Sequence, residues 1–406
     1  MNFASALAPF RTLRNPVFAR LYAAQTVSLL GDALTWVGLA LLAFELGGQE
    51  SAGILAFALT LRVTAFVLLS PVAGLLADRL NRKLILVTAD VVRMVIICLL
   101  PFVTQVWQVY VLMFALNAFT AFFTPTFQAV LPAVTTDEEL PQAISLSGAT
   151  YELLGVLGPG LAGGVAALLG TRDIFFVDGA SFLVSGILIL TLPAQLSNAA
   201  LADECRITVH TVLEGTRRLW RNGLMRYALL MELVAAVSGA LILVNTVGYV
   251  KGQLHLSTAR YGWVMSAFGI GATVAALLVG ALDKRLARTT FILIGALLSS
   301  LAVLPANHAG LFPLLILWLV AGAGQSWVNL STQTIIAEQT PEEFQGRVYG
   351  AHFAWSHLWW AFAYPLAGFL GTHYATGSFL WGGLVALALL AGTWALNRTP
   401  AAPAEK

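Results

Sequence analysis

Charged side chains are scarce in this chain: Asp, Glu, Lys and Arg together make up 10% of its 406 residues. Soluble domains typically contain about 25% charged residues. A single large soluble core does not explain the shortage, because a soluble chain of this length would divide into domains with charged surfaces. With 58% apolar residues, the composition predicts a protein most of whose surface faces lipid.

Features that would indicate other protein classes are also missing. Cys98 and Cys205 match no disulfide or zinc spacing, and no basic run indicates a nucleic-acid partner. A Gly-x-x-x-x-Gly-Lys-Ser/Thr loop is absent, which argues against direct use of ATP. No catalytic or cofactor motif is found, so we expect neither an enzyme nor a cofactor. Residues 1–16 contain no long apolar core before a cleavage site, so no removable signal peptide is expected.

Apolar runs of membrane-spanning length occur along the whole chain. The hydrocarbon core of a bilayer takes about 20 mostly apolar residues per helix. Divided at polar breaks, the sequence gives twelve candidate spans, at 21–45, 52–77, 84–104, 107–131, 143–169, 174–192, 227–250, 261–282, 289–305, 310–337, 347–372 and 378–396. The predicted fold is therefore an all-α membrane protein with twelve transmembrane helices.

Basic residues are distributed unequally between the predicted loops. If the N-terminus is cytoplasmic, 17 of the 22 Lys and Arg residues lie in cytoplasmic segments, and only Arg172, Lys251 and Arg260 lie outside. Cytoplasmic loops of membrane proteins carry such an excess of positive charge. We therefore expect a multi-pass protein of the plasma membrane, the inner membrane of a bacterium, with both termini in the cytoplasm.

The longest polar stretch, residues 195–226, divides the chain after span six. It separates an N-terminal half, 1–194, from a C-terminal half, 227–406. Its second part places Leu213, Leu219 and Trp220 among basic residues. This pattern fits a short amphipathic helix on the inner membrane surface, and a solvated linker is an equal alternative.

The two halves resemble each other at a shift of about 205 residues. The matches keep their order through both halves: Gly74, Arg79 and Arg82 recur as Gly280, Arg285 and Arg288, Gln128 as Gln333, and Pro159 as Pro365. Parallel repeats of this kind are a known plan of secondary transporters, with the substrate site between the repeats near mid-membrane.

Between spans two and three the sequence contains a short motif of small, acidic and basic residues. Its members are Gly74, Asp78, Arg79, Arg82 and Lys83. The segment resembles the signature loop of the major facilitator superfamily, which implies two six-helix, pseudo-symmetric halves and a latch that is made and broken during alternating access. The family has glycine where this chain has Asn81, and asparagine is the other residue that tolerates left-handed turn geometry. A topology signal alone is the alternative interpretation.

Span five contains a glycine-rich run with Gly155, Gly158, Pro159 and Gly163. The run is similar to the antiporter motif of the same superfamily, with Ala162 where that motif usually has glycine. Small residues permit close helix packing, and Pro159 can bend the helix, so generic packing is the alternative. The resemblance implies export by antiport.

The stretch from Gln25 to Thr35, together with Leu61 and Arg62, resembles one bacterial subgroup of the superfamily. Members of that subgroup export drugs, macrolides and siderophores. The resemblance covers nearly the whole chain.

Ionisable residues inside the predicted spans are candidates for function, because charges at mid-bilayer are costly. Six stand out: Asp32, Arg62, Glu152, Glu232, His352 and His357. Asp32 and Arg62, in spans one and two, can form a pair that lowers the cost of both. Such a pair is either structural or gating, or it contacts the substrate or the proton directly.

Polar residues form stripes on single faces of three spans. Gln25 shares a helical face with Asp32, seven residues away. The stripes of spans four and ten, with a spacing of four residues, are Thr124 and Gln128 in the first half and Gln325, Asn329 and Gln333 in the second. We expect these side chains to line a water-filled cavity, and hydrogen bonding between helices is the alternative.

Glu152 and His357 are 205 residues apart, so the repeat places them at similar depth on equivalent helices. A carboxylate and an imidazole can carry protons, since histidine titrates near neutral pH, or bind a divalent transition metal. His352 and His357 lie about 140° apart around a helix, so they do not share one face. A packing role is the alternative for each histidine.

The segment from Ala351 to Pro365 resembles the nickel-resistance branch of the superfamily, although the histidine-rich tail of some members is absent. Carboxylates and histidines at comparable depth favour a divalent metal such as nickel or cobalt as the substrate, with His352, His357, Glu152 and Glu232 as candidate ligands. The second candidate is a bulky apolar or cationic drug. The aromatic residues that would hold it are Trp36, Trp327, Trp355 and Trp359.

The features together predict a secondary exporter that uses the proton gradient. Its partners would be protons, a metal ion or small organic molecule, and the lipid bilayer, and we expect a monomer. A structural or sensor role without transport is the remaining alternative, and the repeat and the signature loop argue against it.

Overall fold

The computed structural model describes residues 12–136, 139–193, 209–282, 287–341 and 344–397. All regular secondary structure in these ranges is helical, and we number its thirteen α-helices in chain order. They are α1 Pro16–Gly47, α2 Ser51–Arg79, α3 Arg82–Leu99, α4 Val106–Val134, α5 Leu140–Leu169, α6 Ile174–Leu190, α7 Val209–Arg221, α8 Gly223–Val247, α9 Thr258–Leu282, α10 Arg288–Val303, α11 Leu311–Gln339, α12 Gln345–His373 and α13 Ser378–Leu396.

Each of the twelve predicted spans corresponds to one of these helices, and the ends agree within five residues. The remaining helix, α7, lies in the central polar segment, for which the sequence allowed either a helix or a solvated linker. Within the described residues, seven stretches are long and apolar enough to cross a membrane, one of which, Pro16–Leu69, includes α1 and most of α2. The all-α fold with twelve long helices is thus confirmed.

Helix caps explain why α1 and α8 begin several residues before their apolar runs. The side chain of Asn15 accepts hydrogen bonds from the backbone N–H groups of Val17 and Phe18, at 3.1 and 3.3 Å. Asn222 caps α8 in the same way. Such caps satisfy backbone donors that have no partner inside the helix, so each helix can extend into the polar region before its span.

The sequence repeat recurs in the helices. The first residues of the six helix pairs, 16 and 223, 51 and 258, 82 and 288, 106 and 311, 140 and 345, and 174 and 378, differ by 204 to 207 positions. The caps follow the same shift. Asn15 donates to the carbonyl of Val134 at 2.9 Å, and Asn222 donates to the side chain of Gln339 at 3.3 Å. Val134 and Gln339 are the last residues of α4 and α11, so equivalent contacts connect equivalent helices.

The expectation that Asn81 uses left-handed geometry in the signature loop is wrong. Its φ and ψ angles are −64° and 111°, and its side chain accepts from the backbone of Lys83 and Leu84. Asn81 is therefore the N-cap of α3, a position that asparagine favours for its side-chain oxygen. Arg82 donates to the carbonyl of Ala129 at 2.8 Å. The side chains of the other predicted motif members, Gly74, Asp78 and Arg79, lie outside the described residues.

Lys83 and Arg20 both bind the end of α6. Lys83 donates to the carbonyls of Leu190 and Leu192, at 2.8 and 2.7 Å. Arg20 donates to the carbonyl of Thr191 at 2.9 Å. Cations at the C-terminal end of a helix satisfy its last carbonyls and interact favourably with its dipole. Lys83 of the signature loop thus helps to hold α6 against α3.

The residues group into two compact units: residues 1–42 with 64–206, and residues 43–63 with 207–406. The predicted halves, 1–194 and 227–406, stay a prediction, because residues 43–63 group with the second unit. Small residues explain that grouping. A Cβ atom on Gly368 would collide with Ala56, and one on Gly371 would collide with Ala52. The start of α2 therefore packs closely on α12, as small residues allow in membrane helices.

Helix α8 is at the centre of the second unit. It contacts α10, α11, α12 and α13, and 78% of the apolar window in Gly223–Gln253 is buried. A polar side chain on α8 therefore faces other helices rather than lipid. Glu232 is such a side chain, 8% exposed.

The amphipathic helix α7 packs on the beginning of α12. Arg347 donates to Glu214 at 2.6 Å, and the guanidinium of Arg218 lies 3.3 Å from the ring centroid of Phe344. Gly215 makes room for the main chain of Arg347, which a Cβ atom at that position would meet. Residues 209–221 of the central segment are thus helical, and one face of this helix is bound to α12.

Candidate functional site

Glu232 on α8 and His352 on α12 form a buried pair in the second unit. The Nε2 atom of His352 lies 2.8 and 3.0 Å from the two carboxylate oxygens of Glu232 and donates to them. The residues are 8% and 5% exposed. A buried carboxylate is stable only when it is paired, hydrogen-bonded or protonated. The two predicted candidates are thus brought together, and each satisfies the other.

His357 is oriented differently from His352. Its Nδ1 donates to the carbonyl of Phe353 at 2.8 Å, and its ring lies 3.9 Å from the ring of Phe353. Arg62 is within electrostatic range of the His357 ring. The expected angle of about 140° between the two histidines explains why only one of them can reach α8.

The predicted metal site is not supported by this geometry. Among the described residues, no three His, Cys, Asp or Glu side chains gather closely enough to hold a metal ion. Nε2 of His352 is committed to Glu232, and Nδ1 of His357 to its own helix. The side chain of Glu152 lies outside the part of the chain that the structure describes.

Gln325 of α11 adds an unsatisfied polar group in the second unit. Gln325 is 7% exposed, and its buried Oε1 atom has no hydrogen-bond partner among the described residues. A Cβ atom on Gly239 would lie 3.2 Å from this oxygen and 2.8 Å from the ring of Trp360. Gly239 stands seven residues after Glu232 on the same face of α8. An acceptor, an aromatic ring and the buried acid–imidazole pair thus follow one face of α8.

Tryptophans of α12 surround this face. The rings of Trp355 and Trp359 lie 5.2 Å apart, and the indole N–H of Trp359 donates to the carbonyl of Leu229 at 3.0 Å. Trp327 instead donates to the carbonyl of Ala275 and packs edge-on against Phe291. Of the predicted aromatic candidates, Trp359 lies beside this face of α8. Trp355 packs edge-on against Trp220 of α7, and Trp327 holds α11 to its neighbours.

The other predicted cavity residues differ in exposure. Gln128 is exposed, and Thr124, Asn329 and Gln333 are half-buried. The hydroxyl of Thr124 donates to a carbonyl of its own helix. The Oε1 atom of Gln25 is buried, and the described part of the chain offers it no hydrogen-bond partner. Gln25 and Glu232 are 207 positions apart, the shift between α1 and α8, so the repeat places an amide where the second unit has its carboxylate.

Helix packing accounts for part of the glycine-rich run. A Cβ atom on Gly158 would collide with Ala33 of α1, so the predicted close approach occurs at this position. Gly163 is buried, and α5 continues through Pro159. The side chain of Pro159, and the surroundings of Gly155, lie outside what the structure describes.

A second group of buried polar residues occupies the first unit, and sequence reasoning found only one of its members. Asp178 of α6 has no exposed surface. It accepts hydrogen bonds from the hydroxyl groups of Thr35 and Ser181. Asp32, the predicted member, is close enough for the two negative charges to repel each other. The missed signal was simple, since Asp178 is an acidic residue inside a predicted span.

Asp32 and Arg62 belong to different units, and their predicted pairing stays a prediction. Each has a described neighbour within its own unit. Asp32 lies near Asp178, and Arg62 lies near His357.

Comparison with known proteins connects this arrangement to transport. The family model described as Major Facilitator Superfamily matches residues 21–248 and 228–406. The nucleoside transporter NupG has a similar fold, with a TM-score of 0.71 at 13% identity over 95% of this chain and all of that one.

Three relatives in sequence are transporters by name. An uncharacterized MFS-type transporter, YfiS of Bacillus subtilis, is 29% identical over 82% of this chain and 81% of its own length. The multidrug efflux pump Tap of Mycolicibacterium fortuitum is 26% identical over 89% of this chain and 91% of its own. Macrolide efflux protein A of Streptococcus pyogenes is 22% identical over 82% of this chain and 84% of its own length. The resemblance to bacterial drug and macrolide exporters is confirmed.

Proposed function

The chain belongs to the major facilitator superfamily, and on this premise we propose that it exports bulky organic molecules in exchange for protons. Its family and its neighbours of known structure make it a multi-pass membrane transporter rather than an enzyme. The substrate class and the driving ion are the proposal.

The observation that carries the proposal is the chemistry of the α8 face. The buried carboxylate of α8 shares this face with an acceptor of α11 that has no partner among the described residues, and with Trp359 and Trp360 of α12. An organic molecule with a large apolar surface and an amine or hydroxyl group matches this combination, because aromatic faces attract organic cations and a buried acceptor gains most from a donor. The names of the relatives, a multidrug pump and a macrolide efflux protein, support the same class.

The pairing of Glu232 with His352 supports exchange for protons. A proton and a cationic substrate both neutralise the carboxylate, so binding of one weakens binding of the other. This opposition is a coupling free energy between the two ligands, and it acts reciprocally. Alternating access then carries the substrate outward and the proton inward around one site.

Metal export is the weaker reading. Imidazole and carboxylate are ordinary ligands of nickel and cobalt, but in the described residues they do not converge as a set of three. The relatives named for a substrate transport organic compounds. We retain the metal only as an outcome to be tested.

The proposal includes the location of the protein. We place it in the plasma membrane, the inner membrane of a bacterium, with both termini in the cytoplasm and a single chain as the working unit. The excess of basic residues in the predicted cytoplasmic loops supports this orientation.

A growth test separates the two substrate classes. The chain is expressed in a drug-sensitive bacterial host, and tolerance is measured to erythromycin, ethidium, nickel and cobalt. We expect tolerance to at least one organic compound to rise, with lower accumulation of that compound in the cells. A rise limited to nickel or cobalt contradicts the proposal.

Variants of two glutamates test the role of the α8 face in the same host. Glu232→Gln removes the exchangeable charge and should abolish the gain in tolerance. Glu50→Gln is the matched control, because Glu50 is exposed just after the end of α1, and it should retain the gain. Equal tolerance in both variants would remove Glu232 from the site.

A further inference from the structure

The first unit contains a buried charge cluster that the proposed exchange at Glu232 does not use. Asp90 and Arg93 form an ion pair within α3, and the hydroxyl of Ser185 donates to Asp90 at 2.7 Å. Asp90 has no exposed surface, and Arg93 is 1% exposed. Buried charges of this kind are rare inside membranes and are candidates for function.

One N–H donor of the Arg93 guanidinium has no acceptor among the described residues. Its guanidinium lies between the rings of Phe123 and Phe182, at 4.3 and 4.4 Å from their centroids. Its Nε atom is buried, and no hydrogen-bond partner is found for it in the described residues. A buried guanidinium N–H without an acceptor is costly, so this group favours any rearrangement that brings a carboxylate to it.

Asp178 is the nearest candidate for such a carboxylate. Arg93 is within electrostatic range of Asp178, but its charge is already balanced by Asp90. The two hydroxyl donors of Asp178, Thr35 and Ser181, can stabilise a carboxylate without neutralising it. Asp32 is also close enough for its charge to act on Asp178. A buried carboxylate in this position is stabilised most directly by taking up a proton.

We propose that Asp178 binds and releases a proton in each transport cycle, in addition to the exchange at Glu232, and that Arg93 and Asp32 respond to the charge of Asp178. The inference rests on proton-driven export as proposed above and adds a second titratable site. The step forms one O–H bond on a carboxylate oxygen of Asp178 with a proton from the outer solution. The same bond breaks when the proton leaves to the cytoplasm, and no other bond changes.

The packing around Asp178 explains how its charge can move helices. A Cβ atom on Gly31 would collide with the side chains of Asp178 and Ser181, so α1 is pressed against α6 at this point. When Asp178 is neutral, Arg93 stays with Asp90. When Asp178 is charged, it attracts the free N–H of Arg93 and repels Asp32, which directly follows Gly31. Among the described residues, the charged groups within electrostatic range of Asp178 are Asp32 from α1 and Arg93 from α3, and Cys98 of α3 lies near it as well.

Infrared difference spectroscopy tests the titration directly. The full chain in lipid vesicles is titrated, and the C=O stretch of protonated carboxyl groups is followed. We expect one band to disappear as the pH rises, to be missing in Asp178→Asn, and to remain in Asp173→Asn, an exposed acid at the start of the same helix. A band that Asp178→Asn leaves unchanged overturns the proposal, and so does one that never titrates while the chain is folded.

A transport measurement tests coupling in the same vesicles. Ethidium is the probe, with an imposed pH gradient or with ethidium alone on both sides. Asp178→Asn should lose the response to the pH gradient and retain ethidium exchange, which needs no net proton movement. Gradient-driven transport equal to that of the parent chain overturns the proposal. If transport by the parent chain does not respond to the pH gradient, the proposed function is contradicted instead. In that case the infrared titration alone tests whether Asp178 binds a proton.

If Asp178→Asn does not fold, variants that keep the carboxyl group of Asp178 provide the test. Thr35→Val and Ser181→Ala each remove one hydroxyl donor from the carboxylate. Because the charged form then loses a hydrogen bond, the infrared titration should move to higher pH in each. A titration that stays in place in both variants overturns the proposal.

Discussion

The buried pair of Glu232 and His352 makes a quantitative prediction about coupling. His352→Phe removes the hydrogen-bond donor from the carboxylate of Glu232, a residue that is 8% exposed. The free energy of unfolding should fall by about 3–5 kcal/mol. Glu232→Gln keeps an acceptor for His352 and costs about 1 kcal/mol. In the double variant the new glutamine amide lacks a partner but carries no charge. The free energy of unfolding should therefore fall by about 1–3 kcal/mol. The double variant should therefore be more stable than His352→Phe alone.

The assay is a double-mutant cycle. The free energy of unfolding is measured for the four proteins in mixed detergent micelles, and the coupling energy should be about 2–3 kcal/mol. Arg288 and Glu338 supply the control pair, because their atoms lie at the same 2.8 Å but Glu338 is 51% exposed. That pair should couple by less than about 1 kcal/mol. Additive effects in the buried pair would refute the reasoning that Glu232 depends on His352.

Three further outcomes follow from contacts near the helix ends. Asn222→Ala should lower the free energy of unfolding by about 1 kcal/mol, measured by the same unfolding assay, because α8 loses its cap. The side chain of Asn15 lowers the pKa of the half-buried Glu139. The stabilising effect of this contact is present above the ordinary glutamate pKa of 4.5 and is lost as the pH falls further. Asn15→Ala should therefore reduce the loss of stability on acidification. Glu214→Gln removes the ion pair with Arg347, and limited proteolysis should cut the central segment faster.

Much of the fold could be predicted from the sequence because lipid imposes a simple pattern. A helix in lipid must be apolar over about 20 residues, so the twelve spans were visible as runs. The ends were less accurate, because caps such as Asn15 and Asn222 extend helices into polar sequence. Asn81 was misread for a related reason. A single asparagine fits both a left-handed turn and an N-cap, and only the backbone angles decide.

The residues of the candidate site could be predicted from the sequence, but the contacts between them could not. Glu232 and His352 were both found as ionisable residues in spans, but their pairing requires knowledge of how α8 and α12 face each other. His357 was predicted not to share a face with His352, and the helix directs its Nδ1 to its own backbone. Asp178 was missed although the rule that selected Asp32 applies to it equally.

Proton-driven export of an organic molecule is tested most directly in everted membrane vesicles that contain this chain. Erythromycin and ethidium uptake is followed while a pH gradient, acid inside, is imposed and then collapsed with nigericin. The account predicts uptake that depends on the gradient, stops on its collapse, and is abolished in Glu232→Gln but not in Glu50→Gln. Uptake that continues unchanged after the gradient is collapsed would contradict it.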